Sequence, residues 1–141
     1  MVTAILDTNV FIRAALRPNS PSARVVDAYL DGKFQLVLSQ GVLQELLTVL
    51  LLPEIREVHG WSDDRILQFV INLPAAAALY PGQAHVPASL PRDATDVKFL
   101  SLARESGADY LVTKDSRHLL RLKKFRRTQI VTPAQFLAEL T

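Results

Sequence analysis

Val2-Thr3-Ala4-Ile5-Leu6-Asp7-Thr8-Asn9 is the stretch on which the reading of this chain turns. Residues 2 to 6 are apolar apart from Thr3 and mostly β-favouring, which is the pattern of a short buried strand. Asp7 falls where the strand stops. Val10-Phe11-Ile12 and Ala14-Ala15-Leu16 then resume an apolar pattern at helical spacing. A carboxylate at the C-terminal end of a buried central strand stands at the mouth of an open α/β sheet, where such folds bind ligands. Taken alone, capping of the following helix by Asp7 and Thr8 accounts for the stretch. A site there requires further carboxylates at matching places.

The rest of the chain supplies the framework. Ser20-Pro21 opens a helix, with Ser20 as N-cap and Pro21 at its first position, and Gly32 ends it. Phe34 to Leu38 reads as a second strand and Ser39 as the cap of a helix over 40–52. That helix is apolar over most of its circumference, with a narrow polar stripe of Gln40, Gln44, Glu45 and Thr48. Short helices are predicted near Glu54 to His59 and from Asp63 to Asn72, and a weak third strand over Ala75 to Tyr80. Pro81, Gly82, Pro87 and Pro91 mark residues 81 to 92 as a loop. A helix from Asp93 to Ser106 ends at Gly107, and a clean strand over Asp109 to Val112 stops at Thr113-Lys114-Asp115. Gln129-Ile130-Val131 is the last strand, and Thr132-Pro133 opens a terminal helix. Strands alternating with helices imply a mostly parallel sheet covered on both faces.

Composition narrows the class. The 141 residues are 49% hydrophobic and 21% charged, a globular balance fitting one domain with a proper core. No apolar run reaches the roughly 18 residues of a membrane span, and Asp7, Asn9 and Arg13 interrupt any signal-peptide pattern. Cysteine is absent, which excludes disulfides and thiolate zinc sites and suits a cytoplasmic location. The net charge of +2 hides an asymmetry. Lys114, Arg117, Arg121, Lys123, Lys124, Arg126 and Arg127 are seven of the 16 basic residues, with Asp115 the only acid among them; the rest of the chain holds 9 basic and 13 acidic residues, a net −4. A local basic patch suits a polyanion, although a solvated loop gives the same pattern.

The acids can now be placed. Asp7 ends one strand, Asp115 lies just beyond another, Asp96 lies in the first turn of a helix, and Glu45 lies on the polar stripe of a helix entered from strand two. In a parallel sheet, strand C-termini and helix N-termini share one edge, so these four carboxylates can converge there. Crowded carboxylates resist ionisation unless a cation joins them, and hard divalent ions prefer such oxygen donors. Each acid also has a structural account. Asp93 as N-cap with Asp96 three residues on would form a version of the capping box. For Asp93 that role is preferred; for Asp96 capping and metal binding are compatible. Glu45 could be a plain solvent-face residue, and Asp115 could start a turn or cap a helix over Ser116 to Leu122. His59, His85 and His118 lack metal-ligand spacing, no serine triad is suggested, and no glycine-rich phosphate loop is present.

With these blocks in place the chain resembles the PIN-domain ribonucleases, in particular the single-domain VapC-like toxins of toxin–antitoxin pairs. The resemblance is carried by Ile5-Leu6-Asp7-Thr8-Asn9, by Glu45, by Asp96-Val97-Lys98-Phe99-Leu100-Ser101-Leu102-Ala103 and by Ala108-Asp109-Tyr110-Leu111-Val112-Thr113-Lys114-Asp115. It implies a PIN-like three-layer α/β fold, a central, mostly parallel twisted sheet flanked by helices, with residues 1–141 as a single PIN-like domain. It implies Mg²⁺ or Mn²⁺ on Asp7, Asp96 and Asp115, with Glu45 binding a second metal or holding the attacking water. Thr8, Asn9 and Thr113 match supporting positions. The chain departs from relatives with more acids before the third block than Asp93-Ala94-Thr95-Asp96, and from those with an acid where Arg117 stands. Both departures remove negative charge and bear on a second metal.

The resulting expectation is a metal-dependent endoribonuclease with Asp7 and Asp115 on adjacent strands, their carboxylates within reach of one metal. The resemblance further implies an antitoxin whose segment blocks the groove, and a homodimer. The apolar helix at 42–52 suits partner contacts and equally well core packing. Two other classes compete: a PIN-fold module that binds RNA or protein without cutting, and a receiver-like domain phosphorylated on an aspartate. The second is weakened because Asp7 has no adjacent acid.

Overall fold

The structure, a computed structural model, describes residues 1–87, 94–115 and 119–141, and of residues 94–96 the backbone alone. Six strands form one sheet: β1 (Thr3–Leu6), β2 (Gln35–Ser39), β3 (Ala78–Tyr80), β4 (Tyr110–Val112), β5 (Lys124–Phe125) and β6 (Thr128–Val131). Among the described residues eight α-helices accompany them: α1 (Thr8–Leu16), α2 (Pro21–Leu30), α3 (Gln40–Leu50), α4 (Pro53–His59), α5 (Asp63–Asn72), α6 (Ala94–Ser106), α7 (Leu119–Leu122) and α8 (Pro133–Glu139). The strand order is β3-β2-β1-β4-β6-β5. All neighbours pair in parallel except β5, which is antiparallel to β6. The chain winds outward from β1 through β2 to β3, then resumes at β4 on the other side of β1. The order therefore reverses between β1 and β4, and at such a reversal the loops leaving the strand C-termini part and open a crevice.

The central strands are apolar on both faces because helices cover both. Ile5, Leu6, Leu36, Leu38, Leu111 and Val112 are fully buried. Helix α6 lies against β1, β2, β3 and β5, while α8 lies against β4 and against α2, which packs on α1. Phe136 of α8 meets Phe34 edge-on at 5.0 Å and Tyr110 at 5.4 Å, which ties the terminal helix to the sheet. The predicted caps at Ser20, Ser39 and Thr132 are present, on Ala23, Val42 and Gln135, the last as a reciprocal box, and Ser62 caps α5 on Arg65. Gly107 takes φ +64° just after α6, where its N–H reaches Ala103 O at 2.9 Å.

Two local expectations change. The third strand is shorter than residues 75–80, because Leu73–Ala76 is a 3₁₀ turn around Pro74 whose carbonyl accepts from Ala77 N. The basic segment is not a bare loop. It contains α7 and the β5–β6 hairpin, whose two-residue turn is Arg126-Arg127. Lys123 and Arg126 take left-handed φ of +61° and +55°, a conformation that non-glycine residues do not announce in sequence. The expected cap at Asp93 lies outside the described residues. Among the described residues no helix is long and apolar enough to cross a membrane.

Phe136 is fully buried between two aromatic rings. Phe136→Ala is expected to cost about 3–5 kcal/mol, read as a lower urea midpoint at unchanged m-value; a loss below about 1 kcal/mol would mean that α8 does not anchor the fold.

Candidate metal and nucleic-acid site

The β1–β4 pair sets the geometry. Leu6 lies opposite Val112, so the residues following each strand emerge together at the carboxyl edge of the sheet. Asp7 N donates to Val112 O at 2.9 Å, which carries the pairing one residue past β1. The Thr113 hydroxyl then donates to Asp7 Oδ2 at 2.7 Å and accepts from Asp115 N at 3.0 Å. The two acids expected on adjacent strands are thus joined through one buried hydroxyl.

Asp7 caps a helix and is itself buried. Its Oδ1 accepts from Asn9 N at 3.1 Å, which makes it the N-cap of α1. It is also 2% exposed, and among the described residues no cation pairs with it. Burial raises its pKa above the ordinary value; the hydrogen bonds from Thr113 and Asn9 pull it back, and the charges of Glu45 and Asp115 push it up again. Asn9 acts through its backbone, and its side chain is exposed.

Glu45 reaches the same edge from α3. Its Oε2 accepts from the Thr8 hydroxyl at 2.7 Å and lies 3.5 Å from Lys98 Nζ. Asp115 also contacts the start of α7, its Oδ2 accepting from Leu119 N at 3.4 Å and its carbonyl from Leu120 N at 3.0 Å. Asp115 thus contacts both Thr113 and the start of α7. Asp96 lies in the first turn of α6, two residues before Lys98, and its side chain is outside the described residues. Among the described residues, no three acids or histidines are grouped to hold a metal ion. Asp7, Glu45 and Asp115 alone do not assemble the expected four-acid cluster.

The donor chemistry fits a hard divalent cation. The acids at this edge offer oxygen ligands only, and the buried Asp7 carboxylate is destabilised by two like charges that such an ion would offset.

The predicted basic residues are not all brought together. Lys114 is exposed beside Thr113 at the acid edge, and Arg121, Lys123 and Lys124 are exposed along α7 and β5. Arg126 and Arg127 turn at the opposite, amino edge, where Arg127 lies 3.9 Å from Asp109. Asp109 itself accepts from Thr3 N and Thr3 Oγ1. Three strand steps, about 10 Å, separate the two edges. Arg117 is outside the described residues. Sequence reasoning passed over Lys98 as a partner of Glu45. It also passed over Glu105, which accepts from Gly82 N and Gln83 N, and Arg104, which donates to His85 O. These pairs join residues 19 to 53 positions apart, and only the strand order brings them together. A separate cavity of about 600 Å³ lies between α1, α2 and α5, lined by Phe11, Trp61, Phe69 and Leu30 among others, with none of the four acids.

A PIN-domain family model matches residues 3–117. The chain belongs to the PIN-domain family. It is 26% identical over 145 residues to uncharacterized protein MJ1680 of Methanocaldococcus jannaschii, covering 98% of this chain and 91% of that protein. Its fold matches a chain in the crystal structure of VapBC2 from Rickettsia felis bound to a DNA fragment from their promoter. The TM-score is 0.58 at 14% identity, covering 93% of this PIN-domain chain and 98% of that one.

The raised pKa of Asp7 carries a sign. The protonated acid favours the fold fully below the unfolded pKa of about 3.9, and this contribution is lost as pH rises through the higher folded value. In EDTA, Asp7→Asn is therefore expected to melt higher than wild type at pH 7, with the gap closing in acid. Thermal melts between pH 3 and 7 read this; a variant less stable at pH 7 would reverse the sign.

Proposed function

We propose that this PIN-domain protein is an Mg²⁺- or Mn²⁺-dependent endoribonuclease and the toxin of a toxin–antitoxin pair. The observation that carries the reading is Asp7: a buried carboxylate at the reversal of strand order, oriented by Thr113 and in the field of Glu45 and Asp115. Asp7, Asp96 and Asp115 would hold the ion. When bound, it supplies a water of lowered pKa and positive charge for the leaving oxygen of a phosphodiester. Thr113 and the Asn9 N–H fix the Asp7 carboxylate, Thr8 fixes Glu45, and Glu45 would orient the attacking water. Lys114 is the cation best placed to meet the RNA backbone at the acid edge. An antitoxin would cover this edge, and the apolar cleft between α1, α2 and α5 suits an amphipathic helix of that partner. A homodimer in the cytoplasm completes the proposal.

RNA cleavage with Mg²⁺ and with EDTA tests the enzyme reading. Asp7→Asn, Asp96→Asn and Asp115→Asn are each expected to lose cleavage by at least about a hundredfold, and Thr113→Val by about tenfold. RNA that binds tightly but stays intact under every metal condition would favour the non-cutting module, which the Lys98 ammonium beside Glu45 would suit.

RNA affinity is expected to fall steeply with salt. Lys114→Glu and Lys123→Glu should weaken binding more than Arg126→Glu or Arg127→Glu, because the last two lie at the amino edge. Filter binding across a salt series measures this, and equal losses at all four positions would place RNA on both edges.

A further inference from the structure

Glu45 differs from Asp7 in already having a cation. Its Oε2 accepts the Thr8 hydroxyl at 2.7 Å and has the Lys98 ammonium at 3.5 Å. The hydroxyl satisfies one lone pair of that oxygen, and the ammonium faces the same oxygen as a compensating charge. The Glu45 and Lys98 side chains are 24% and 31% exposed, so water and salt screen the pair less than they would on open surface. Lys98 comes from α6, a 13-residue helix packed on β1, β2 and β3, so its stem starts from a fixed backbone. A divalent ion approaching Glu45 must displace this ammonium or accept a like charge as neighbour. Asp7 presents no such obstacle.

We propose that Lys98 is a resident cation that stands in place of a second divalent ion at Glu45 and limits the site to one metal, held from the side of Asp7, Asp96 and Asp115. The inference rests on the metal-dependent reading above and assigns Lys98 a positioning role rather than contact with substrate. An ammonium is a compact point charge that needs no recruitment from solution. It leaves Glu45 fixed by Thr8 and free, through its other oxygen, to hold a water.

The test counts ions. The full chain is titrated with Mn²⁺, following free Mn²⁺ by electron paramagnetic resonance and heat by calorimetry, with melting curves to check folding. Wild type and Lys98→Arg are expected to bind one Mn²⁺ per chain. Lys98→Gln and Lys98→Met are expected to bind a second ion, tightened at least about tenfold, and Glu45→Gln added to either should remove it. Two ions on wild type, or an unchanged count in both neutral variants, would overturn the assignment. Wild type binding one ion with variants unchanged removes Lys98 alone; wild type binding none removes the metal reading and this inference with it.

Discussion

A carboxylate cannot be withdrawn from water at the end of a strand unless something holds it, and in this protein the holder is a neutral hydroxyl. Thr113 and Asp7 meet because Leu6 and Val112 are paired in a parallel ladder. Shift that register by one residue and the hydroxyl faces the opposite side of the sheet. The buried apolar residues of β1 and β4 therefore fix more than the core. They fix the distance between a proton donor and an acid that comes 106 positions earlier in the chain. The fold places these two residues at the reversal of strand order, where the loops above them part.

The choice of hydroxyls matters electrically. Thr113 holds Asp7 and Thr8 holds Glu45, each at 2.7 Å. A hydroxyl fixes direction and satisfies a lone pair without cancelling charge. An arginine in the same place would anchor the acid more strongly and would also neutralise it. The consequence at Asp7 is a desolvated charge near two others, which costs stability in the absence of a cation. Glu45 is treated differently, since the Lys98 ammonium is added to the hydroxyl. The two acids are held by the same kind of donor and left with different charge.

Much of this was legible in the chain because the relevant signals are local. Asp7 and Thr113 announce themselves as polar residues ending apolar runs, and Ser20, Ser39 and Thr132 cap helices where their spacing says they should. The short 3₁₀ turn at Leu73 escaped because apolar residues around a proline fit a strand as well as a turn. The β5–β6 hairpin escaped because its turn uses two arginines, one with left-handed backbone, where an Asn-Gly or Asp-Gly pair would have been conspicuous. Lys98 escaped for a different reason. Its partner lies 53 positions away on another helix, and no periodicity in one sequence pairs them. What sequence reading could not do was decide which charges share an edge.

The basic segment illustrates that gap. Counted along the chain, its cations form one patch; folded, they follow a path. The chain leaves the acid edge at Lys114, descends through α7 and β5, turns at Arg126-Arg127 and returns as β6. Arg127 is already engaged with Asp109, which in turn receives the N–H and hydroxyl of Thr3. Part of that charge therefore faces an acid at the amino edge of the sheet. Lys124 on the outermost strand and Lys123 just before it lie between the two edges, both exposed. A polyanion that touches Lys114 and these lysines together must run along the β5 margin, parallel to the strands, rather than across the top of the sheet. The positive charge that a phosphate at the acids would meet is then smaller than the composition suggests, and Lys114 and Lys98, two cations at that edge, would carry more of it than their share of the sequence.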